Sequence, residues 1–195
     1  MTSPMGLSFF FAFFCAHLNN LEWIRIMNEN PSCRVYLFRH GETANSKEVC
    51  FNGHFDVGLS AKGENQFKEW AQALKDEPFK AIYSSDLERT QSSARLLGEP
   101  HQLEPVTYPE LRELCFGDWE GLSISDVEKK YPNQLEERMK NIEAFHVNGG
   151  ETFLQLQERV IPRFEKIIAQ HPNEQIALVC HGGVNRVILS HLLEI

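Results

Sequence analysis

The sequence lacks the features that mark several large classes of protein. Its five cysteines form no C-x-x-C pair, which argues against a disulfide framework or a zinc site and predicts free thiols. Its 19 Lys and Arg are outnumbered by 27 Asp and Glu, and the net charge of -8 leaves no basic excess for binding nucleic acid or an anionic membrane. This net charge is compatible with a small anionic substrate, because the field of a few arginines inside a pocket is stronger there than that of a distant acidic surface.

Metal-binding motifs and internal repeats are also missing. The eight histidines include no H-E-x-x-H pair or other obvious ligand set, so neither a metal site nor a cofactor is expected. No repeat at solenoid spacing occurs, and 195 residues suit one hydrophobic core. We therefore expect a single domain over residues 33–195.

Only one long apolar run is present, Met5–Leu18, and it is shorter than the roughly 20 residues that span a bilayer. Three interpretations stay open: an uncleaved or signal-like anchor, a segment upstream of a natural start at Met27, and a structural helix. We expect residues 1–32 to be an N-terminal extension outside the core. The protein is then cytoplasmic, with membrane contact only if this extension anchors it.

Short apolar runs alternate with helical patterns along the rest of the chain. Buried strands are predicted at 35–38, 81–83 and 176–180, and helices at 60–74, 85–97, 151–169 and 183–193. Ser60 is a helix cap, Ser85 to Glu88 reads as a capping box, and Pro162 predicts a kink or break. Strands separated by helices predict an α/β fold with a mostly parallel sheet.

In a parallel α/β sheet, ligands bind beyond the carboxyl ends of the strands. Three chain segments should therefore converge: Arg39 with His40, residues 84–89, and His181 with Gly182. Each histidine is followed by a glycine, which permits close approach of the backbone. Two such His-Gly pairs at one sheet edge indicate a site.

The residue types at this edge suit phosphoryl transfer. Arg89 lies in the first turn of a predicted helix, where a cation gains little unless it holds an anion, although a surface salt bridge to Asp86 is the alternative. A neutral histidine can attack phosphorus while guanidinium groups stabilise the equatorial oxygens. A carboxyl group must protonate the leaving oxygen. The residues alone do not reveal which histidine is the nucleophile or which carboxylate is the acid.

Several segments resemble the histidine phosphatase superfamily, also called the phosphoglycerate-mutase-like family. "RHGETAN" resembles the R-H-G-E-T-x-x-N signature, "IYSSDLERTQSSA" the S-S-D-L-x-R-T-x-x-T-A motif, and "LRELCFGDWEG" the L-x-E-x-x-F-G-x-W-E-G motif. "FNGHFDVGLSAKG", "GGET" and "VCHGG" follow the family pattern in the expected order. The resemblance implies a three-layer α/β/α domain.

The resemblance also implies roles for individual residues. His40 is the phosphorylated nucleophile, and Glu113 is the proton donor and base. The residues implied to hold the phosphoryl group are Arg39, Asn45, Arg89 and His181, with the backbone of Gly182 and with Gly53 near the substrate entry.

Within the family, "FGDWEG" and the short connection from Arg89 to Glu113 resemble the small phosphatases, including α-ribazole phosphatases. We therefore expect hydrolysis of a small phosphorylated metabolite. The alternatives are phosphoglycerate mutase activity and a non-catalytic phosphate-binding remnant. Substrate choice is expected to depend on residues 116–148. The sequence ends at Ile195, where family members usually continue, so we expect a shortened C-terminal part.

Overall fold

A computed structural model describes residues 32–46 and 48–194. The apolar run 5–18, the start at Met27 and the last residue lie outside these ranges. Within them, no helix is long and apolar enough to cross a membrane. The strands are β1 (Arg34–Arg39), β2 (Phe79–Ser84), β3 (Val106–Thr107) and β4 (Gln175–Cys180). The helices are α1 (Ala61–Ala73), α2 (Glu88–Gly98), α3 (Ile124–Lys130), α4 (Gln134–Lys140), α5 (Phe153–Ala169) and α6 (Gly182–Leu193).

The strands form one parallel sheet in the order β1-β4-β2-β3. Its register pairs Arg39 of β1 with Cys180 of β4, and Ser84 of β2 with Val179 of β4. The three predicted strands are confirmed, and the two-residue β3 is an addition too short to show a pattern. All four carboxyl ends lie at the same edge of the sheet.

Helices cover both faces of this sheet, which confirms the three-layer α/β/α architecture. In the central strand β4, Ile176 and Leu178 pack against α5 and α6, whereas Ala177 and Val179 pack against α1 and α2. All four side chains are fully buried. Burying an aliphatic side chain of this size contributes about 1.5 to 3 kcal/mol, so β4 is the core of the domain.

Helix α1 begins as predicted. The hydroxyl of Ser60 accepts a hydrogen bond from the Gly63 N–H at 3.0 Å, which satisfies one of the free donors of the first turn. Phe67 and Ala71 are the buried residues of the apolar stripe. The stripe therefore faces the sheet, as its spacing predicts.

Helix α2 corrects one prediction. The capping box from Ser85 to Glu88 does not form, because the helix begins at Glu88 and its cap residue, Leu87, makes no side-chain cap bond. The Ser85 hydroxyl lies instead 2.6 Å from the Thr90 hydroxyl and 2.8 Å from a ring nitrogen of His181. Buried tertiary partners outcompete the local cap here.

Of the kink or break predicted at Pro162, the break is wrong, because α5 runs without interruption through the proline; the kink stays a prediction. It begins two residues later than predicted, after a capping box between Thr152 and Gln155. Val160 and Phe164 on either side of the proline are buried in the core. This packing outweighs the loss of one backbone hydrogen bond at the proline.

The short helices α3 and α4 were not predicted. They belong to a small apolar group around buried Trp119, Val127 and Val147, which we call the Trp119 cluster. Each helix has only seven residues and almost no buried face, so its apolar period is too brief to detect. The cluster lies in the 116–148 segment.

Gly63 is required where α1 meets the loop after β1. A methyl group on Gly63 would overlap the carbonyl oxygen of Glu42. We expect Gly63→Ala to lower the free energy of unfolding by about 1 to 3 kcal/mol, although alanine normally stabilises a helix relative to glycine. Urea denaturation measures this loss. Gly58→Ala is the control, since a methyl group there meets its nearest neighbour at 3.9 Å, and equal stabilities for the two variants would contradict the prediction.

Candidate active site

Two histidines meet at the carboxyl edge of the sheet. His40 follows β1 and His181 follows β4, and the His40 N–H donates to the Cys180 carbonyl at 3.0 Å. Their ring centroids are 5.2 Å apart. The structure therefore brings together the two His-Gly pairs that the sequence predicts at one edge.

His40 presents a free ring nitrogen. Its Nδ1 lies 2.8 Å from the carbonyl oxygen of Gly41, which can only accept, so Nδ1 carries the hydrogen and Nε2 keeps a lone pair. Burial lowers the pKa of His40 to about 3, with the charges of Arg89 and Arg39 adding to the effect and the Gly41 bond opposing it. The ring is therefore neutral at pH 7 and able to act as a nucleophile.

His181 is completely buried at the start of α6. Burial is the main reason that its pKa lies well below the ordinary value of 6.5, and the charge of Arg89 contributes. Its Nε2 contacts the Ser85 hydroxyl at 2.8 Å, and its Nδ1 has no hydrogen-bond partner among the described residues. One buried polar atom is therefore available for a ligand.

Arg89 is a buried cation with only 1% of its surface exposed. It donates to the carbonyl oxygens of Phe55 at 3.0 Å and Gly53 at 2.6 Å, while its Nε has no partner in the described part of the chain. The alternative of a surface salt bridge with Asp86 is wrong, because Asp86 pairs with Arg112 at 2.6 Å. Arg89 is therefore held by backbone oxygens rather than by the neighbouring carboxylate of Asp86.

Arg39 and Gly182 complete the cationic side of the site. Arg39 is exposed and lines the pocket. A methyl group on Gly182, the first residue of α6, would lie 3.9 Å from Arg39 Nε and 3.8 Å from Glu113 Oε2. The positive end of the α6 dipole therefore lies beside these two side chains.

Asn45 lines the pocket, but its amide is already engaged. Its Nδ2 donates to Asn52 Oδ1 at 2.6 Å, and its Oδ1 accepts from the Thr43 hydroxyl at 2.9 Å. A phosphate would have to compete with Asn52 for the Asn45 amide. Gly53 lies next to Asn52 and has a φ of +48°, which favours glycine. Its carbonyl serves Arg89, so Gly53 supports the pocket through its backbone.

Glu113 reaches the pocket from the loop after β3. Its carboxylate accepts hydrogen bonds from the Leu114 N–H at 2.8 Å and the Gly183 N–H at 3.0 Å. The Gly183 bond ties the loop to the first turn of α6, beside His181. The carboxylate is therefore fixed at the start of α6, in the same pocket as His40.

Arg159 holds the loop that carries Glu113. Its guanidinium donates to the carbonyl oxygens of Glu113 at 2.8 Å, Arg112 at 2.8 Å and Glu110 at 2.7 Å. It also forms an ion pair with Glu151 at 2.7 Å. One side chain from α5 thus satisfies three carbonyl groups of an irregular loop, which would otherwise be free to move.

The pocket has a volume of about 330 Å³ and two kinds of wall. One kind is ionisable, with Arg39, His40, Glu48, Arg89 and Glu113, and the other is apolar, with Val49, Cys50, Phe51 and Phe116. The Arg138 guanidinium of α4 lies 5.6 Å from the Phe116 ring centre. The pocket thus combines an apolar lining with a few ionisable groups, which is typical of sites for small molecules.

Sequence reasoning missed several residues that build the site. Ser85 was interpreted as a helix cap, and Arg159 carried no signal, because an arginine on an amphipathic helix is ordinary. His54 donates through Nε2 to the Glu113 carbonyl at 2.9 Å. Over the described ranges, no group of three or more His, Cys, Asp or Glu side chains is arranged to hold a metal ion.

A comparison with protein-family models decides the family. The model described as histidine phosphatase superfamily (branch 1) matches residues 35–195. The chain belongs to the histidine phosphatase superfamily. The expected family, its α/β fold and the expectation of a phosphatase are therefore confirmed, and the roles of individual residues stay predictions.

Three proteins that this chain resembles are named as phosphatases of different kinds. An adenosylcobalamin/alpha-ribazole phosphatase of Escherichia coli (strain K12) is 31% identical over 170 residues, with 82% of this chain and 79% of the relative covered. A metal-independent phosphoserine phosphatase of Arabidopsis thaliana is 31% identical over 169 residues, covering 85% and 71%. The structure of a mycobacterial glucosyl-3-phosphoglycerate phosphatase complexed with VO3 is similar with a TM-score of 0.75 and 28% identity, covering 82% and 79%.

The Arg159–Glu151 pair should give a pH-dependent stability difference. Burial raises the pKa of Glu151, but hydrogen bonds from Arg159 and the Cys115 N–H lower it below its ordinary value of 4.5. This stabilisation is present above pH 4.5 and is lost as the pH falls through the lowered pKa. We expect Arg159→Met to lower the free energy of unfolding by about 2 to 3 kcal/mol at pH 7, and the gap from the wild type to narrow in acid.

Urea denaturation of both proteins at a series of pH values measures the gap. Arg163→Met is the matched control on the same helix, since Arg163 pairs with the carboxylate of Glu110 and stacks on Tyr108 at 4.1 Å but, within the described residues, donates to no backbone carbonyl of the Glu113 loop. We expect its loss to be about 1 kcal/mol, because exposed ion pairs contribute little. A gap for Arg159→Met that stays constant down to about pH 3 would contradict the prediction.

Proposed function

We propose that the chain hydrolyses phosphate monoesters of small metabolites without a metal, through a phosphohistidine at His40. The observation that carries this proposal is a neutral imidazole with a free Nε2, placed beside the buried cation Arg89 and the second histidine, His181. Attack on a phosphate dianion requires a nucleophile with a free lone pair, which the neutral nitrogen supplies, and fixed positive charge to bind the anion.

The first step transfers the phosphoryl group to the enzyme. The lone pair of His40 Nε2 forms a bond to phosphorus while the bond from phosphorus to the leaving oxygen breaks. Charge on the equatorial oxygens is stabilised by Arg39, by Arg89 and by the N-terminus of α6. Since the Arg89 donors are already fixed by backbone carbonyls, little reorganisation is needed as charge develops.

Glu113 serves both steps in this proposal. Its protonated carboxyl gives a proton to the leaving oxygen, and the resulting carboxylate then takes a proton from water. The water oxygen attacks phosphorus, the bond to His40 Nε2 breaks, and phosphate leaves with the imidazole neutral again. The bonds from Leu114 and Gly183 keep the carboxylate in one place through both steps.

His40→Ala should abolish turnover by removing the atom that forms the bond to phosphorus. With p-nitrophenyl phosphate and EDTA present, we expect a loss of kcat of at least about a thousandfold. His146→Ala is the control, since His146 is exposed and does not line the pocket. Release that survives in His40→Ala would overturn the proposal.

Acid quenching with a 32P-labelled substrate identifies the nucleophile directly. We expect an acid-labile labelled enzyme that disappears in His40→Ala. Label that persists in His40→Ala and disappears in His181→Ala would reverse the assignment. Transfer of the label to another hydroxyl of phosphoglycerate would show a mutase, and binding of phosphate without release would show a non-catalytic pocket.

The leaving-group side of the pocket bears on the substrate. The α-ribazole phosphatase among the relatives supports α-ribazole 5'-phosphate as one candidate, which would place its apolar ring against Phe51 and Phe116. Arg138 favours a second class of candidate, phosphate esters that also carry a carboxylate. Its guanidinium lies behind the pocket residue Phe116, Arg186 and Glu113 are the charged groups that act on it, and among the described residues no carboxylate forms an ion pair with it. A substrate with a carboxylate would supply that partner.

A matched pair of substrates tests the role of Arg138. Phosphoserine and phosphoethanolamine differ only by a carboxylate, so we expect Arg138→Gln to lower kcat/KM for phosphoserine about tenfold more than for phosphoethanolamine. Lys140→Gln is the control, because Lys140 lies on the same helix, is exposed and already pairs with Glu136 at 2.6 Å. Equal losses on both substrates, with α-ribazole 5'-phosphate the better substrate, would favour the first candidate.

A further inference from the structure

Two buried hydroxyl groups connect His181 to the backbone. The Ser85 oxygen lies 2.8 Å from His181 Nε2 and 2.6 Å from the Thr90 oxygen. The Thr90 oxygen lies 2.8 Å from the carbonyl oxygen of Leu87. Ser85, Thr90 and His181 are all fully buried, so no solvent competes for these contacts.

The carbonyl at the end of this series fixes the direction of every hydrogen. The Thr90 oxygen also lies 3.1 Å from the Ser85 carbonyl oxygen, and because carbonyl oxygens only accept, the Thr90 hydroxyl donates to the backbone, with the shorter contact to Leu87. Thr90 has then used its one hydrogen, and the 2.6 Å contact requires the Ser85 hydroxyl to donate to Thr90. The Ser85 oxygen can then only accept from His181, whose Nε2 must carry a hydrogen.

We propose that Ser85 and Thr90 are positioning residues that hold neutral His181 in its Nε2–H tautomer and leave Nδ1 as a bare proton acceptor for the phosphoryl group. The identity of the ligand rests on the proposed function. His181 Nδ1 has no partner among the described residues, as this assignment requires. His40 is in the opposite tautomer, because its Nδ1 donates to Gly41.

The bare Nδ1 has a chemical consequence for binding. A phosphate monoester monoanion carries one P–O–H group, which donates its hydrogen to Nδ1 or transfers the proton to it. A transfer leaves a phosphate dianion beside an imidazolium ion, and no bond to phosphorus changes. His181 would thus bind the anion as an acceptor of its proton.

The charges around His181 explain why the proton arrives with the anion. The groups that face it are Arg89 from α2, Arg39 and His40 from the end of β1, and Arg159 from α5. These arginine charges and burial keep the ring neutral in the free protein. An anion among them offsets the repulsion, so protonation of Nδ1 becomes favourable only when phosphate is bound.

Nitrogen NMR of the free protein, labelled with 15N in its histidine rings, reads the tautomer without any turnover. We expect His181 Nε2 to show the shift of a nitrogen that carries hydrogen and Nδ1 the shift of a bare nitrogen. Inorganic phosphate should move the Nδ1 signal toward the protonated position. A bare Nε2 with a protonated Nδ1 in the free wild type would overturn the proposal.

Thr90→Val tests the chain of hydroxyls, since valine keeps the shape and removes the acceptor for Ser85. The Ser85 hydroxyl is then free to donate to Nε2, so we expect the tautomer signals to exchange toward Nδ1–H and kcat to fall about tenfold. Thr90→Ser should restore the wild-type signals. Ser84→Ala is the control, because this buried hydroxyl donates to the Ser85 carbonyl and does not touch His181.

Unchanged His181 signals in Thr90→Val would overturn the role of the hydroxyl chain. This readout is separate from the proposed function, because it uses the resting protein and needs no substrate. An inactive wild type with the expected tautomer would refute only the hydrolysis. An active wild type with the other tautomer would refute only the positioning by Ser85 and Thr90.

Discussion

The parallel register of β1 and β4 is the constraint on which the site depends. Arg39 is paired with Cys180, so the next residue of each strand is a histidine and both leave the sheet at the same level. Beyond the histidines the two segments differ, since the chain after His40 forms a loop that leads to α1, whereas α6 begins directly after His181. A shift of one residue in this register would turn one of the rings toward the other face of the sheet.

Burial lets positive charge and neutral bases coexist in a chain of net charge -8. Arg89 stays charged because carbonyl oxygens of the Gly53 to Phe55 turn replace water around it. The imidazoles of His40 and His181 stay neutral because burial and the neighbouring cations penalise their protonated forms. The buried site thus holds cations beside neutral imidazoles, although the chain as a whole is acidic.

The sequence predicted what depends on local pattern. The three longer strands and the Ser60 cap were found because short apolar runs and a capping serine act within a few residues. The convergence of His40 and His181 followed from a general property of parallel sheets rather than from any local signal. The motifs then pointed to the family without any knowledge of the packing.

The wrong and missed predictions share a physical cause: the hydrogen bonds involved join residues that are far apart in the sequence. Ser85 has the pattern of a cap, yet its hydroxyl is taken by His181, 96 residues away. The sequence offers Asp86 as a nearby salt-bridge partner for Arg89, whereas the actual partners of Arg89 are the carbonyls of Gly53 and Phe55. Arg159 reaches the Glu113 loop across 46 residues, and no sequence period records such a bond.

The separation of the Trp119 cluster from the two cores on the sheet has an evolutionary consequence. The cluster packs its own few buried residues, and Phe116 is the residue that contacts both this cluster and the core beside α5 and α6. Substitutions in this segment can therefore accumulate and reshape the entrance while the histidines and arginines stay in place. A fold arranged in this way allows related proteins to differ in the residues at the pocket entrance while they keep the same residues at the sheet edge.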